Sequence, residues 1–234
     1  EHPGDVLLKA DEPINIKAQG LSFGYMEGKP VLNDLSFEIN AGDVICVHGR
    51  QSMGKSTLLR LLTGSYTTFT GNLLINDIPI GNYHVDSLRS HTGIMLHMQE
   101  IFHGTLKENI CLGENSISYH DMDKLAGIVG LKPFIDELKE GYNLELQPAG
   151  QRLSGRIIKK ILLMRALIHN PKLLLLEEPW LGLEEQYIKQ VQEYLLEKLP
   201  GTTILIVSND EDFSRKCDKV IVLDNGNMSI TDNK

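Results

Sequence analysis

Gly49-Arg50-Gln51-Ser52-Met53-Gly54-Lys55-Ser56 is the stretch on which the fold turns. It fits G-x-x-x-x-G-K-[ST], and its surroundings fit the same reading. Upstream, Val44-Ile45-Cys46-Val47 is a short apolar run suited to a buried strand. Downstream, Lys55 to Leu62 reads as a helix stopped near Gly64. Glycines at both ends let the backbone curl so that its N–H groups face phosphate oxygens. The helix that follows turns its positive end toward the same anion. Lys55 then reaches the β- and γ-phosphates and the Ser56 hydroxyl ligates Mg²⁺, with the loop from Gly49 through Thr57 as the binding segment. The expected ligand is a nucleoside triphosphate.

A second stretch has the matching character. Leu173-Leu174-Leu175-Leu176 is a buried strand that ends in Glu177-Glu178. Ligands of open α/β sheets sit at the carboxyl ends of strands. One carboxylate there can hold Mg²⁺ and the next can polarise an attacking water. In isolation the pair would read as a solvated acidic turn before Pro179; beside the phosphate loop it reads as part of the site.

Working outward, Ile14–Phe23 and Val31–Ile39 are expected strands around a turn at Glu27-Gly28, and Asn72–Ile80 a strand pair turning at Asn76-Asp77. A short helix at Val85–Ser90 and a strand at Gly93–Leu96 follow. From about 98 to 170 the pattern is mainly helical, with Asp121–Val129, Phe134–Glu140 and Leu153–His169 as the candidates. Strand and helix then alternate again: Glu184–Leu199 helical, Thr202–Val207 and Lys219–Leu223 extended, with a turn at Asp224-Asn225-Gly226. This order predicts an α/β fold: a parallel-sheet core of the P-loop NTPase (RecA-like) kind, an N-terminal antiparallel β subdomain and an inserted helical subdomain. The expected division is 1–13 as a linker tail, 14–97 with 171–234 as the nucleotide-binding core, and 98–170 as the insertion.

Composition narrows the function. The 234 residues carry 31 acidic and 23 basic side chains, a formal charge of −8, which argues against a broad basic face for nucleic acid. The 41% hydrophobic content is that of a packed globular chain. The apolar runs fall short of the ~20 residues that span a bilayer. Cys46, Cys111 and Cys217 form no CxxC pair and read as packed, reduced thiols. His91, His97 and His103 recur every six residues, which matches neither helical nor strand ligand spacing, so a metal cluster is the weaker reading.

From about residue 14 to 230 the chain resembles the nucleotide-binding domain of an ABC transporter. It is most similar to the exporter type, in which this domain follows a membrane domain in one polypeptide. Gly104-Thr105-Leu106-Lys107-Glu108-Asn109-Ile110 resembles the exporter segment written GTxxENI, and Gly141-Tyr142-Asn143 and Leu153-Ser154-Gly155 match in order and spacing. The resemblance implies ATP and Mg²⁺ as ligands and Tyr25 as the aromatic that stacks on adenine. It implies that Ser154 and Gly155 cap the γ-phosphate held by a second domain in a head-to-tail dimer, and that Glu178 is the catalytic base. Residues 1–13 would be the tail of a linker from the membrane domain, at the cytoplasmic face of a membrane.

The chain departs from the family pattern at defined positions. The signature LSGGQ is Leu153-Ser154-Gly155-Arg156-Ile157, and Ser52 stands where another glycine is common. The glutamine that senses Mg²⁺ falls on His97, with Gln99 two residues on, and the switch histidine falls on Asn209. Glu177 and Glu184 each replace an Asp. Asparagine hydrogen-bonds but carries no proton at neutral pH. Two functions follow: an ATP-hydrolysing exporter domain with slow turnover, or a regulatory half that binds ATP beside a competent partner. From another class, a soluble ABC-type ATPase of DNA repair or translation lacks its expected basic surface here. A small-molecule kinase would not need the Leu153-Ser154-Gly155 helix start.

Overall fold

A computed structural model describes residues 4–9, 11–97 and 99–233. In chain order the elements are β1 (Ile16–Phe23), β2 (Leu32–Ile39), β3 (Val44–His48), α1 (Lys55–Leu62), β4 (Thr70–Ile75), β5 (Ile78–Pro79) and α2 (Val85–Ser90). Then come β6 (Thr92–Met95), β7 (Gly104–Thr105), α3 (Leu106–Cys111), α4 (Tyr119–Val129), α5 (Lys132–Glu137), β8 (Glu145–Leu146) and α6 (Gly155–Leu167). The last are β9 (Leu173–Glu177), α7 (Glu185–Glu197), β10 (Thr203–Val207), α8 (Glu211–Ser214), β11 (Lys219–Asp224) and β12 (Asn227–Asp232). They form two compact units, 1–92 with 172–177 and 200–234, and 93–171 with 178–199.

The first unit is built on two sheets. β2-β1-β4-β5 is antiparallel, and its β4–β5 hairpin turns at Asn76 and Asp77, both with positive φ (49° and 61°). That is the two-residue turn whose twist suits paired strands, and Asn and Asp tolerate it. The other sheet runs β12-β11-β3-β10-β9, with β11, β3, β10 and β9 parallel, as the alternation of strand and helix implies. β3, β9 and β10 are buried along almost their whole length, which is why they read as unbroken apolar runs. The parallel register aligns Glu177 with Val207 and Val207 with Val47, so the ends of three strands lie on one rung. Asn33 N donates to Gly226 O at 2.8 Å and joins the two sheets.

Two elements here escape the sequence pattern. β12 is an exposed, largely polar edge strand, paired throughout with β11 after the Asn225-Gly226 turn, and its polarity hid it. Part of the stretch expected as a polar tail is packed instead. Val6 N donates to Asn82 O at 3.0 Å, Val6 O accepts from His84 N at 2.8 Å, and Leu8 is 5% exposed. Residues 1–3 and 10 of that stretch lie outside the described residues.

The second unit is helical, with α4 packed on α7 and α3 on α6. Three of its helices start on side-chain caps. Thr105 and Glu108 make a reciprocal capping box on α3, and Ser118 and Ser154 cap α4 and α6 with their hydroxyls. Gly130 ends α4 in the left-handed region, where the Tyr187 ring leaves no room for a Cβ. Arg165 is buried inside this unit, donating to Asn109 O, Asn109 Oδ1 and Glu100 O at 2.7–3.1 Å. Burial lowers its pKa to about 10.

Candidate functional site

The phosphate loop connects β3 to α1 as its glycines require. Gly49 has φ 145°, and a Cβ there would meet Leu223 O. Gly54 has φ 92°, and its Cβ would lie 2.6 Å from Leu32 Cδ2 and 3.1 Å from Val31 O. Both positions therefore demand glycine by conformation and by space. Ser52 also adopts a left-handed φ, 67°, where a side chain is strained. That is the physical reason a glycine suits position 52. Arg50 and Gln51 are exposed, while Met53 Sδ accepts from Asn225 N at 3.1 Å.

α1 begins at Gly54 with no side-chain cap and no acidic residue in its first turn. Its first N–H groups, with the loop, form an end suited to an anion. The Lys55 ammonium donates to Gly49 O and to Arg50 O, the latter at 2.7 Å, so it lies over the loop. Ser56 Oγ donates to Glu177 Oε1. The strand register explains this meeting, since Glu177 ends β9 on the rung that leads into Gly49. A hydroxyl beside a carboxylate is an oxygen donor set of the kind Mg²⁺ takes, so the residues present fit that ion.

Tyr25 projects beside α1, half exposed, with its hydroxyl 3.0 Å from Thr57 Oγ1. Thr57 is itself buried. The Tyr25 ring stands edge-on to Phe23 (5.1 Å) and to Tyr66 (5.8 Å), which leaves an aromatic surface at the helix start. Sequence reading missed Tyr66, whose only signal is an aromatic four residues beyond the end of α1. Asn209 is exposed and follows Ser208, whose amide donates to Val47 O at 3.3 Å. The structure thus brings Tyr25, Lys55, Ser56, Thr57, Glu177 and Asn209 into one unit, with Lys55, Ser56 and Thr57 in the first turn of α1 and Glu177 and Asn209 at the ends of the neighbouring strands β9 and β10.

The remaining expected residues belong to the second unit. Glu178 has φ 46°, and its carbonyl accepts from Leu181 N at 3.2 Å, starting the turn that leads to α7. Ser154 Oγ accepts from Ile157 N at 3.3 Å, and Gly155 faces open space. Arg156 is exposed. His97 is exposed in a turn, where Gln99 Oε1 accepts from Leu96 N at 3.3 Å. Glu184 is drawn away from capping α7 by Lys160, whose ammonium is 2.8 Å from its Oε2 and also donates to Gly130 O at 3.0 Å. That contact holds the Glu184 carboxyl below the usual range. Lys160 carried no sequence signal, because its partner is set by folding.

The thiols are buried. Cys46 donates to Ser208 O and Cys217 to Phe213 O, and a hydrogen bond to Cys46 together with burial pushes the Cys217 thiol up. These are packed thiols, as composition implied. Among the described residues no group of three or more His, Cys, Asp or Glu could hold a metal ion, and no helix is long and apolar enough to cross a membrane.

The family profile described as ABC transporter matches residues 32–181, which span the phosphate loop, the signature and the acidic pair. The chain belongs to the ABC transporter family. Among curated members, it is 30% identical over 96% of its length to the glutathione/L-cysteine transport system ATP-binding/permease protein CydC of Escherichia coli K12, of which it covers 39%. It is also 30% identical over 94% of its length to a multidrug efflux ATP-binding/permease protein of Mycobacterium bovis, of which it covers 18%. A solved bacterial Atm1-family ABC exporter with ATP bound superposes with a TM-score of 0.89 at 27% identity, over 97% of this chain and 40% of that one. The chain therefore spans well under half the length of these ABC transporters. Its mixed α/β architecture is that of their P-loop NTPase domain.

Proposed function

We propose that this chain is the ATP-binding domain of an ABC exporter, and that it hydrolyses ATP slowly to drive transport across a membrane. The observation that carries the reading is the meeting of the Ser56 hydroxyl with the Glu177 carboxylate beside Lys55, at the ends of β9 and β3. Ser56 and Glu177 would hold Mg²⁺, and the ion would neutralise developing phosphate charge; His97 takes the position of the glutamine that senses the ion in the family pattern. The loop amides and Lys55 bind and orient the phosphates, and Tyr25 offers its ring to adenine. Glu178 takes the proton of the attacking water. Asn209 supplies a hydrogen bond to the γ-phosphate.

The partners in this reading are a second nucleotide-binding domain and a transmembrane domain of the same polypeptide. Relatives named ATP-binding/permease proteins support the latter. ATP lies between two domains arranged head to tail, with Ser154 and Gly155 of each facing the other's phosphate loop. The domain sits at the cytoplasmic face of the membrane and takes no nucleic acid, consistent with its charge of −8. The segment 1–13 serves as the linker, 14–97 with 171–234 as the ATP-binding core and 98–170 as the signature subdomain.

The test is steady-state phosphate release. Glu178→Gln lowers the rate by roughly 10²–10⁴-fold with ATP still bound. Asn209→His raises it, because an imidazole can position and carry a proton where the asparagine amide only hydrogen-bonds. An unchanged rate in Glu178→Gln would remove the role given to Glu178. Bound ATP with no release by the parent favours the regulatory half, the reading that Asn209, His97 and Arg156-Ile157 support.

A further inference from the structure

Where β3 runs into the phosphate loop, one side chain is left without a role by the site as built. Cys46 and His48 are two residues apart on β3 and share a face of it. Cys46 Sγ lies 3.7 Å from Ser208 O, so that face is the one turned to the segment after β10. His48 stands one step nearer the strand end, opposite Val222 of β11 and immediately before Gly49. Its Nε2 is buried and has no hydrogen-bond partner among the described residues. Buried polar atoms are rarely left so, and each exception calls for a reason.

The charged groups acting on His48 are Lys55 from α1, and Asp210 and Glu211 from the start of α8. Both carboxylates have local engagements. Asp210 Oδ1 accepts from Phe213 N at 2.9 Å as the cap of α8, Asp210 N donates to Ser208 Oγ at 3.2 Å, and Glu211 pairs with Arg215 at 3.3 Å. Asn209 stands in the middle of this segment.

We propose that His48 is a proton-responsive positioning residue for the Ser208–Glu211 segment. As imidazolium, its Nε2–H donates to the carboxylates of Asp210 and Glu211 and draws the segment onto the end of β3. As imidazole, it leaves the segment to its own helix cap. Burial lowers the pKa of His48 and Lys55 opposes its charge, while Asp210 and Glu211 favour it. The imidazole is therefore neutral at neutral pH and charges on the acid side of the ordinary 6.5. The consequence for turnover rests on the proposed ATP site, because there Asn209 faces the γ-phosphate. The coupling itself does not. Phosphate held at the loop would offset Lys55 and shift the His48 midpoint upward, and by reciprocity a charged His48 would favour the anion.

The experiment follows the backbone amide signals of Asn209, Asp210 and Glu211 by NMR across an acid titration of the whole chain, without nucleotide. The expected result is a shared transition with its midpoint below 6.5, absent in His48→Gln and His48→Phe, and moved lower in Asp210→Asn. Retained Mg–ATP affinity shows that each variant is folded. With Mg–ATP the midpoint rises. Phosphate release then shows an acid-side change in the parent that both His48 variants lack. A transition that persists at these amides in His48→Gln overturns the proposal, as does a folded parent whose three amides do not titrate together. If the amides titrate as expected but no phosphate is released, the hydrolysis reading fails and the role of His48 stands.

Discussion

α1 and α6 start their first turns in opposite ways. α1 enters from Gly54 with a left-handed φ, has no side-chain cap, and turns its first amides toward the phosphate loop. α6 enters from Ser154, whose own hydroxyl takes the Ile157 amide, and it carries Arg156 in its first turn. A helix end that satisfies itself gains stability, and one that does not is held open by its surroundings. The cost at α1 is visible in the strained φ of Ser52 and the two glycines without room for a Cβ. On the proposed function the two ends have different tasks: the open end of α1 takes the phosphates bound by its own chain, and the self-capped end of α6, with Arg156 added, faces a phosphate only across the head-to-tail pair.

The contrast breaks first at Lys55. Lys55→Ala removes the cation from the open end, and charge-assisted bonds of roughly 1.5–3 kcal/mol predict a loss of ATP affinity of about ten- to more than a hundredfold. Calorimetric titration measures it, and unchanged affinity would deny that α1 is the anion site. Stability should move less than affinity, since Lys55 donates to two carbonyls of its own loop, Gly49 O and Arg50 O.

Ser154→Ala should do the reverse. Loss of the cap costs about 1 kcal/mol of folding stability, read from the denaturant midpoint, and leaves ATP affinity of the single chain intact. If stability is unaffected and affinity falls, the two ends have been assigned the wrong way round.

Glu184 sharpens the same comparison within the second unit, because it gives up capping α7 for Lys160. Its pKa is lowered in the folded chain, so its contribution is present above the unfolded value of 4.5 and lost as pH falls through the depressed folded value. Glu184→Gln should flatten that acid limb in denaturant midpoints, and a limb identical to the parent's would show that the pair contributes nothing.

The smallest effect is expected at Ser52. Ser52→Gly relieves the left-handed strain and should raise stability by up to about 1 kcal/mol, offset by the entropy of a freer unfolded chain. Thermal unfolding at matched pH measures the balance.

Much of this was legible because it is local. The phosphate loop needs glycine where φ is positive, and α1 spans the residues its apolar spacing indicates, Lys55–Leu62. The buried strands of the parallel sheet and the Asn76-Asp77 and Asn225-Gly226 turns likewise announce themselves in a few neighbouring residues. β12 stayed hidden because an exposed edge strand buries too little to need apolar alternation.

The sequence by itself determined that a phosphate loop lies between a buried strand and a helix, and that acidic residues end another strand. Folding alone decided which distant groups meet. Ser56 and Glu177 are 121 positions apart and touch because β9 and β3 flank β10 in register. Lys160 finds Glu184, Tyr25 finds Thr57, and His48 is left with a buried nitrogen next to the Ser208–Glu211 segment. Backbone conformation and burial period are written into neighbouring residues, whereas a side-chain partner is fixed only when the sheet register and helix packing bring two remote positions to one place.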